Sequence, residues 1–347
     1  MARNAAIDGT KAIAILGTLF IHASAAGGLE GPLGSFNWTM DLVWTSVLRC
    51  AVPLFLLCSG ALFLPMERKL PLGKLWKKYI LRIFIALAFW SLLYVLWDRQ
   101  VFLLSGAERT EALRLALTDW LCFRHKYHLY YLVVLIALYA LLPVLRLLAD
   151  KAGPALLRYM LGLWLVCGSL LPVLFSLPPI GYAEGFVRQY GLNFIPSAAG
   201  YALAGHVLAR SGRRWSPRRY ALIYLAGFAL TFGGTYCLSR YSLAFTDLFL
   251  SGTAPGVTLQ AVGIFGLCQH RWGDRPCPRW MGKLSLASFC IYLIHPFFLD
   301  VLQSRGVHAG VYSALWVVPA LVLFLAAVCF LVWLVLRRVP VVNKYLI

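Results

Sequence analysis

The chain has 347 residues, of which 61% are hydrophobic and only 13% charged. Soluble domains run at about 45–50% apolar and about 25% charged, so a water-soluble domain, a disordered chain and a nucleic-acid-binding module are excluded. The net charge of +19 then reads as basic residues gathered on one side of a bilayer, not as a nucleic-acid footprint.

At roughly 20 apolar residues per helical crossing, the length allows about ten spans and no appended soluble domain. Backbone groups in lipid must be satisfied internally, and no β-barrel alternation is present, so the spans are helices. The expectation is an all-α integral membrane protein, a single transmembrane domain over residues 1–347 with the bilayer as its main partner. Apolar segments lie near 10–26, 41–65, 79–97, 127–148, 155–177, 192–210, 219–238, 244–268, 283–303 and 312–336.

The first segment follows Asp8 and carries Lys11 and His22, which a cleavable signal peptide would not. The second contains Arg49, and the third is entered through Arg68, Lys69, Lys74, Lys77, Lys78 and Arg82. Between the third and fourth lies the longest loop, 98–126. Its stretch 108–120 spaces Leu113, Leu117 and Trp120 as a helix does. Either a helix on the membrane surface or a solvated loop helix fits that pattern. The ninth segment contains His295.

Counted loop by loop, 22 basic residues fall on the side of both termini and eight on the other, with Lys11 and Arg49 inside spans. The positive-inside rule then places both termini in the cytoplasm. The nine cysteines lie mostly within apolar segments and read as packing residues. Cys268, His270 and Cys277 match no zinc spacing, so no metal is expected.

Ionisable side chains within spans cost roughly 2.5–3.5 kcal/mol on insertion scales and are functional candidates. Lys11 and His22 are eleven residues apart, about 20° from the same helical face and roughly 16 Å along it, with Ile15 and Thr18 between them. Such a stripe suits a long anionic ligand held at its cytoplasmic end, with an imidazole at the reactive end. His22 and His295 each lie roughly 18 Å from the inner face, and Arg49 roughly 12 Å from the outer one, which suggests one buried polar level. Structural readings stand beside these: Lys11 as an interfacial lysine, His22 as a helix–helix hydrogen-bonding residue, and Arg49 in an ion pair with Asp41 or Asp300. His295 and Asp300 spell H-x4-D, but residues five apart on a helix diverge by about 140°. His125 and His128, at the mouth of the fourth span, and His206, near the end of the sixth, read as interfacial.

Several stretches together resemble the membrane-bound acyltransferase family 3. They are IDGTKAIAILGTLFIH at the start, RCAVPLFLLCSGALFL from Arg49, WKKYILRIFIALAFWSLLY from Trp76, HLYYLVVLIALYALLPVLR from His128 and SLASFCIYLIHPFF from Ser285. Within the family the look is nearest to the enterobacterial-common-antigen O-acetyltransferase and to the membrane half of vancomycin-type serine racemases. The first-helix basic residue, usually Arg, is Lys11 here, which keeps the charge but loses bidentate phosphate binding. The usual Arg-x-x-Arg of the third helix is reduced to Arg82, with Tyr79 at the first position and Lys78 beside it.

The resemblance implies acetyl transfer from cytoplasmic acetyl-CoA to a hydroxyl of an envelope glycan or lipid-linked sugar at the bacterial inner membrane. Lys11, Lys77, Lys78 and Arg82 are then the candidates for the donor's phosphates. His22 becomes the general base or a transient acyl carrier, Arg49 the oxyanion partner, and His295 a member of the same chamber. The alternative is a transporter or binding protein for a small amino acid or metabolite, which should show repeats and broken helices. Gly/Pro interruptions occur at 53–60 and 252–256, but no repeat is evident.

Overall fold

The computed structural model describes residues 4–25, 27, 29, 31–178, 197–211 and 215–347. Arg3, Arg188, Arg213, Arg214 and the expected start of the sixth span at 192–196 lie outside the described residues. Among those described there is no strand, and nine helical stretches are long and apolar enough to cross a membrane. The protein is an all-α, multi-pass membrane protein.

In chain order the helices are α1 (Ala5–Ala25), α2 (Phe36–Val47), α3 (Ala51–Phe63), α4 (Leu72–Asp98), α5 (Gly106–Leu121), α6 (Tyr127–Lys151), α7 (Pro154–Leu174), α8 (Ser197–Arg210), α9 (Pro217–Ser242), α10 (Pro255–Trp272), α11 (Arg279–Ser304), α12 (Ala314–Leu336) and α13 (Pro340–Tyr345). Their starts follow local chemistry. Asn4 Oδ1 accepts the Ile7 amide at 3.2 Å, and Ser35 Oγ accepts that of Trp38 at 3.2 Å, each capping a first turn. Pro154, Pro217 and Pro255 open α7, α9 and α10, where a missing amide costs nothing.

The chain divides into two compact units, Met1–Arg68 with Val144–Phe330, and Lys69–Pro143 with Leu331–Ile347. In the first unit, α1 and α11 run parallel. Ser285 Oγ donates to Asp8 Oδ1 at 2.8 Å near their starts, and the His22 and His295 rings meet further along. Helices in this unit approach backbone to backbone. A Cβ on Gly60 of α3 would collide with the Ala202 carbonyl of α8, and one on Gly227 of α9 would lie 2.5 Å from the Gly256 carbonyl of α10. Small residues permit this close packing, which drives helix association in lipid, where burial of apolar surface does not.

The second expected span is not one helix. It breaks between Val47 and Ala51, at the level of Arg49. Pro53 supplies the cause: it has no amide to give the Arg49 carbonyl, and its ring crowds that carbonyl. The eighth span is interrupted as well, with a short 3₁₀ turn at Leu248–Leu250 preceding α10. Side chains satisfy the backbone that these breaks release. Gln260 Nε2 donates to the Ser46 carbonyl at 3.1 Å, Tyr224 Oη to that of Val47 at 2.8 Å, and Tyr201 Oη to that of Gly252 at 2.7 Å. Non-helical backbone survives at membrane depth only when partnered in this way.

In the second unit, α5 packs on the C-terminal half of α4. Ala112, Ala116 and Trp120 meet Leu92, Val95 and Leu96. Of the three residues spaced for a surface helix, Trp120 therefore turns inward while Leu113 and Leu117 stay exposed. The end of the chain lies on α4, where Trp90 Nε1 donates to the Leu346 carbonyl at 2.9 Å.

Candidate active site

Three candidates from distant parts of the sequence meet in the first unit. The His22 and His295 rings have centroids 5.0 Å apart and planes tilted by 38°. Arg49 is close enough to His22 to act on it electrostatically, as is His295. His22 occupies the last turn of α1 and is half-buried, whereas His295 is fully buried mid-helix.

His295 is oriented by its own helix. Pro296 cannot donate to the Tyr292 carbonyl, and the His295 ring turns back toward the Ile291 and Tyr292 carbonyls, with Nδ1 3.0 Å from Ile291 O. A ring nitrogen facing a carbonyl carries the hydrogen, so the neutral tautomer places its lone pair on Nε2. α11 remains helical through Pro296, so the backbone positions of His295 and Asp300 stay about 140° apart around the helix.

Arg49 is oriented by the helix break. Its Nε donates to the Leu250 carbonyl at 2.6 Å, which joins the two interruptions. The pairing with Asp41 weighed from the sequence does not form. Asp41 is fully buried, and neither of its carboxylate oxygens accepts a hydrogen bond among the described residues. Six residues of α2, Leu42–Val47, and Leu48 at the break lie between the two in the sequence.

Lys11 lies on the same α1 stripe as His22. Ile15 is fully buried between them and Thr18 nearly so, with Thr18 Oγ1 donating to Ala14 O at 3.1 Å. The stripe is thus a packed helix interface and not an open track. The other basic candidates belong to the second unit. Lys77 and Lys78 are exposed on a π turn, Leu75–Ile80, near the start of α4, and Arg82 is half-buried with Nη2 donating to the Ile347 carbonyl. π turns in α-helices occur often at functional sites.

A family model for an acyltransferase domain matches residues 4–343. The chain belongs to the acyltransferase 3 family. Searches of curated proteins and of solved structures return no match. Membership in this family supports acyl transfer as the activity, and it covers nearly the whole chain.

The sequence reading missed the side chains that satisfy the backbone at the helix breaks. Gln260 and Tyr224 were not singled out, although Pro53, four residues after Arg49, already marks the break they serve, and neither was Tyr201, which serves the interruption at Gly252.

Proposed function

We propose that this acyltransferase moves an acetyl group from acetyl-CoA, taken up at the cytoplasmic face, to a hydroxyl of an envelope glycan or a lipid-linked sugar at the bacterial inner membrane. The observation that carries the reading is the meeting of His22, His295 and Arg49 inside a chain of this family.

In this mechanism His22 takes the proton from the acceptor hydroxyl as its oxygen attacks the thioester carbonyl. The C–O bond forms, and the tetrahedral oxyanion is stabilised by the Arg49 guanidinium, which the Leu250 carbonyl aims. The C–S bond then breaks, and the imidazolium returns the proton to the departing thiolate. No proton is gained or lost overall. His295 positions His22 through ring contact, and its own ring is fixed by the Ile291 and Tyr292 carbonyls. Lys11 in the first unit, and Lys77, Lys78 and Arg82 in the second, are the proposed contacts for the donor's phosphates.

The test is incubation of membranes containing the protein with acetyl-labelled coenzyme A, followed by mass spectrometry of envelope glycans. The expected result is an added acetyl mass that disappears with His22→Ala. Absence of acetylated product from the wild-type protein, with donor and envelope extract both supplied, overturns the reading. The two interrupted helices joined by Arg49 favour transport of a small amino acid or metabolite as the second reading. That reading would instead show uptake into vesicles without any acetylated product.

A further inference from the structure

The second unit contains a cavity of about 170 Å³ outside the histidine site, lined by Phe84, Leu87, Ala88 and Ser91 of α4 and by Trp120, Leu121, Phe123 and His125. The lining from α4 follows from helical spacing: positions 84, 87, 88 and 91 form one stripe. The other wall is the segment that leaves α5 and doubles back. Phe123 turns it, with a φ of 57°, a left-handed conformation that is a genuine outlier for a bulky side chain. Such outliers persist where the surroundings over-determine them, often at ligand sites. Trp120 pins this wall by donating from Nε1 to Ala88 O at 3.1 Å and to Ser91 Oγ at 3.0 Å.

The cavity has a greasy rim and one polar corner. Phe84, Leu121 and Phe123 are 54%, 69% and 69% exposed, and Phe84 lies on a membrane-spanning helix, where an exposed apolar side chain meets hydrocarbon. His125 supplies the polar corner. Its Nε2 is buried and has no hydrogen-bond partner among the described residues. Burial holds this imidazole below the ordinary histidine range, so it is neutral near pH 7 and able to donate one hydrogen bond. Arg124 stands between the two lining residues Phe123 and His125, with its side chain 74% exposed. The local charges are three cations, Arg99, Arg124 and Lys126, against two carboxylates, Asp98 and Asp119. Arg99 holds Asp119 at 2.5 Å and Lys126 holds Asp98 at 3.0 Å, whereas Arg124 reaches Asp119 only at 3.5 Å. One positive charge is therefore left over at the mouth of an apolar cavity.

We propose that this is a binding site for an anionic phospholipid: the upper carbons of one acyl chain fill the cavity, the ester carbonyl accepts from His125, and the phosphate lies on Arg124. The size agrees, since apolar cavities of about 150 Å³ take up a six-carbon guest. The order of parts along the membrane normal agrees too, with hydrocarbon contacts along α4 and polar groups in the loop beyond it. An unbalanced cation beside an apolar helix face attracts an anionic headgroup by the same electrostatics that draw basic clusters to anionic lipid.

The experiment uses the full chain, purified and delipidated, then offered phosphatidylglycerol or phosphatidylcholine and examined by native mass spectrometry. One retained phosphatidylglycerol is expected, with phosphatidylcholine retained several-fold less. Arg124→Gln should abolish that preference, and Ala88→Phe, which fills the cavity, should abolish retention. A phosphatidylglycerol carrying a photoreactive group near the ester should label peptides covering 84–91 or 120–125, a readout that does not depend on any variant folding. Labelling confined to other peptides, or equal retention of the two lipids, overturns the proposal. Displacement of the phospholipid by a polyprenyl phosphate at stoichiometric concentration also overturns it, and would assign the cavity to the tail of a lipid-linked sugar.

Discussion

The His22 and His295 ring centroids are 5.0 Å apart, yet the surroundings of the two rings differ. His22 is half-buried at the end of α1; His295 is sealed in, with Nδ1 committed to its own helix. The asymmetry predicts an ordered mutant series. His22→Ala should lower acetyl transfer by about 10²–10⁴-fold, the usual cost of losing a general base, with protein level and helix content unchanged. His295→Ala should cost less, because a positioning ring is lost and not the proton acceptor. Pro296→Ala supplies an amide to the Tyr292 carbonyl and so competes with the His295 ring for it. It should lower the rate without removing any imidazole, whereas a rate equal to wild type would mean that the proline has no part in aiming His295. Arg49→Ala should cost about 10²–10³-fold in rate, as loss of an oxyanion donor does, and Arg49→Lys should recover only part, since an ammonium cannot both hold the Leu250 carbonyl and face the oxyanion as a planar guanidinium does.

At the level of the element, the helix breaks are what bring Arg49 to His22, and they survive because side chains satisfy the released carbonyls. Tyr224→Phe deletes the hydroxyl that donates to Val47 O at 2.8 Å. A buried carbonyl left without its partner costs about 1–3 kcal/mol, so thermal unfolding in detergent should show a clear fall in Tm. An unchanged Tm would mean that the break is held by other contacts. This is also where the sequence was only partly readable. Hydropathy located nine of the ten expected spans among the described residues, because each apolar run is bounded by charges or turn residues, and spacing along α1 put Lys11 and His22 on one stripe. Depth counting even placed His22, Arg49 and His295 at a common level. It did not show that the second span is two helices, although Pro53 marks the break, because apolar residues dominate 41–65 on both sides of Leu48–Cys50 and hydropathy does not register a break in the backbone. Nor could it show that Ile15 and Thr18 close the stripe between Lys11 and His22, since that depends on which neighbours pack there. The inward turn of Trp120 was hidden for the same reason: Leu113, Leu117 and Trp120 share a spacing, but Ala112 and Ala116 provide the shallow face that fits α4.

For the whole molecule, the chemistry proposed needs a sided protein, with a polyanionic donor on one face and the acceptor on the other. The charge pattern supplies the side. With 22 basic residues on one set of loops and eight on the other, insertion with both termini in the cytoplasm is favoured. α1 then enters from the cytoplasm with Lys11 first and His22 about 16 Å further along the helix, and α11 runs parallel to it, bringing His295 to the same depth. Two cysteine positions test this orientation. Cys122 is exposed at the end of α5 in the 98–126 loop and should react with an impermeant maleimide in intact cells. Ser216, just before Pro217 of α9 and beside Arg218 and Arg219, should behave oppositely. In a background lacking the other cysteines, Ser216→Cys should label only after the membrane is permeabilised. Labelling of Ser216→Cys from outside, with Cys122 protected, would invert the topology, move Lys11 to the external face and leave it unable to meet a cytoplasmic thioester donor.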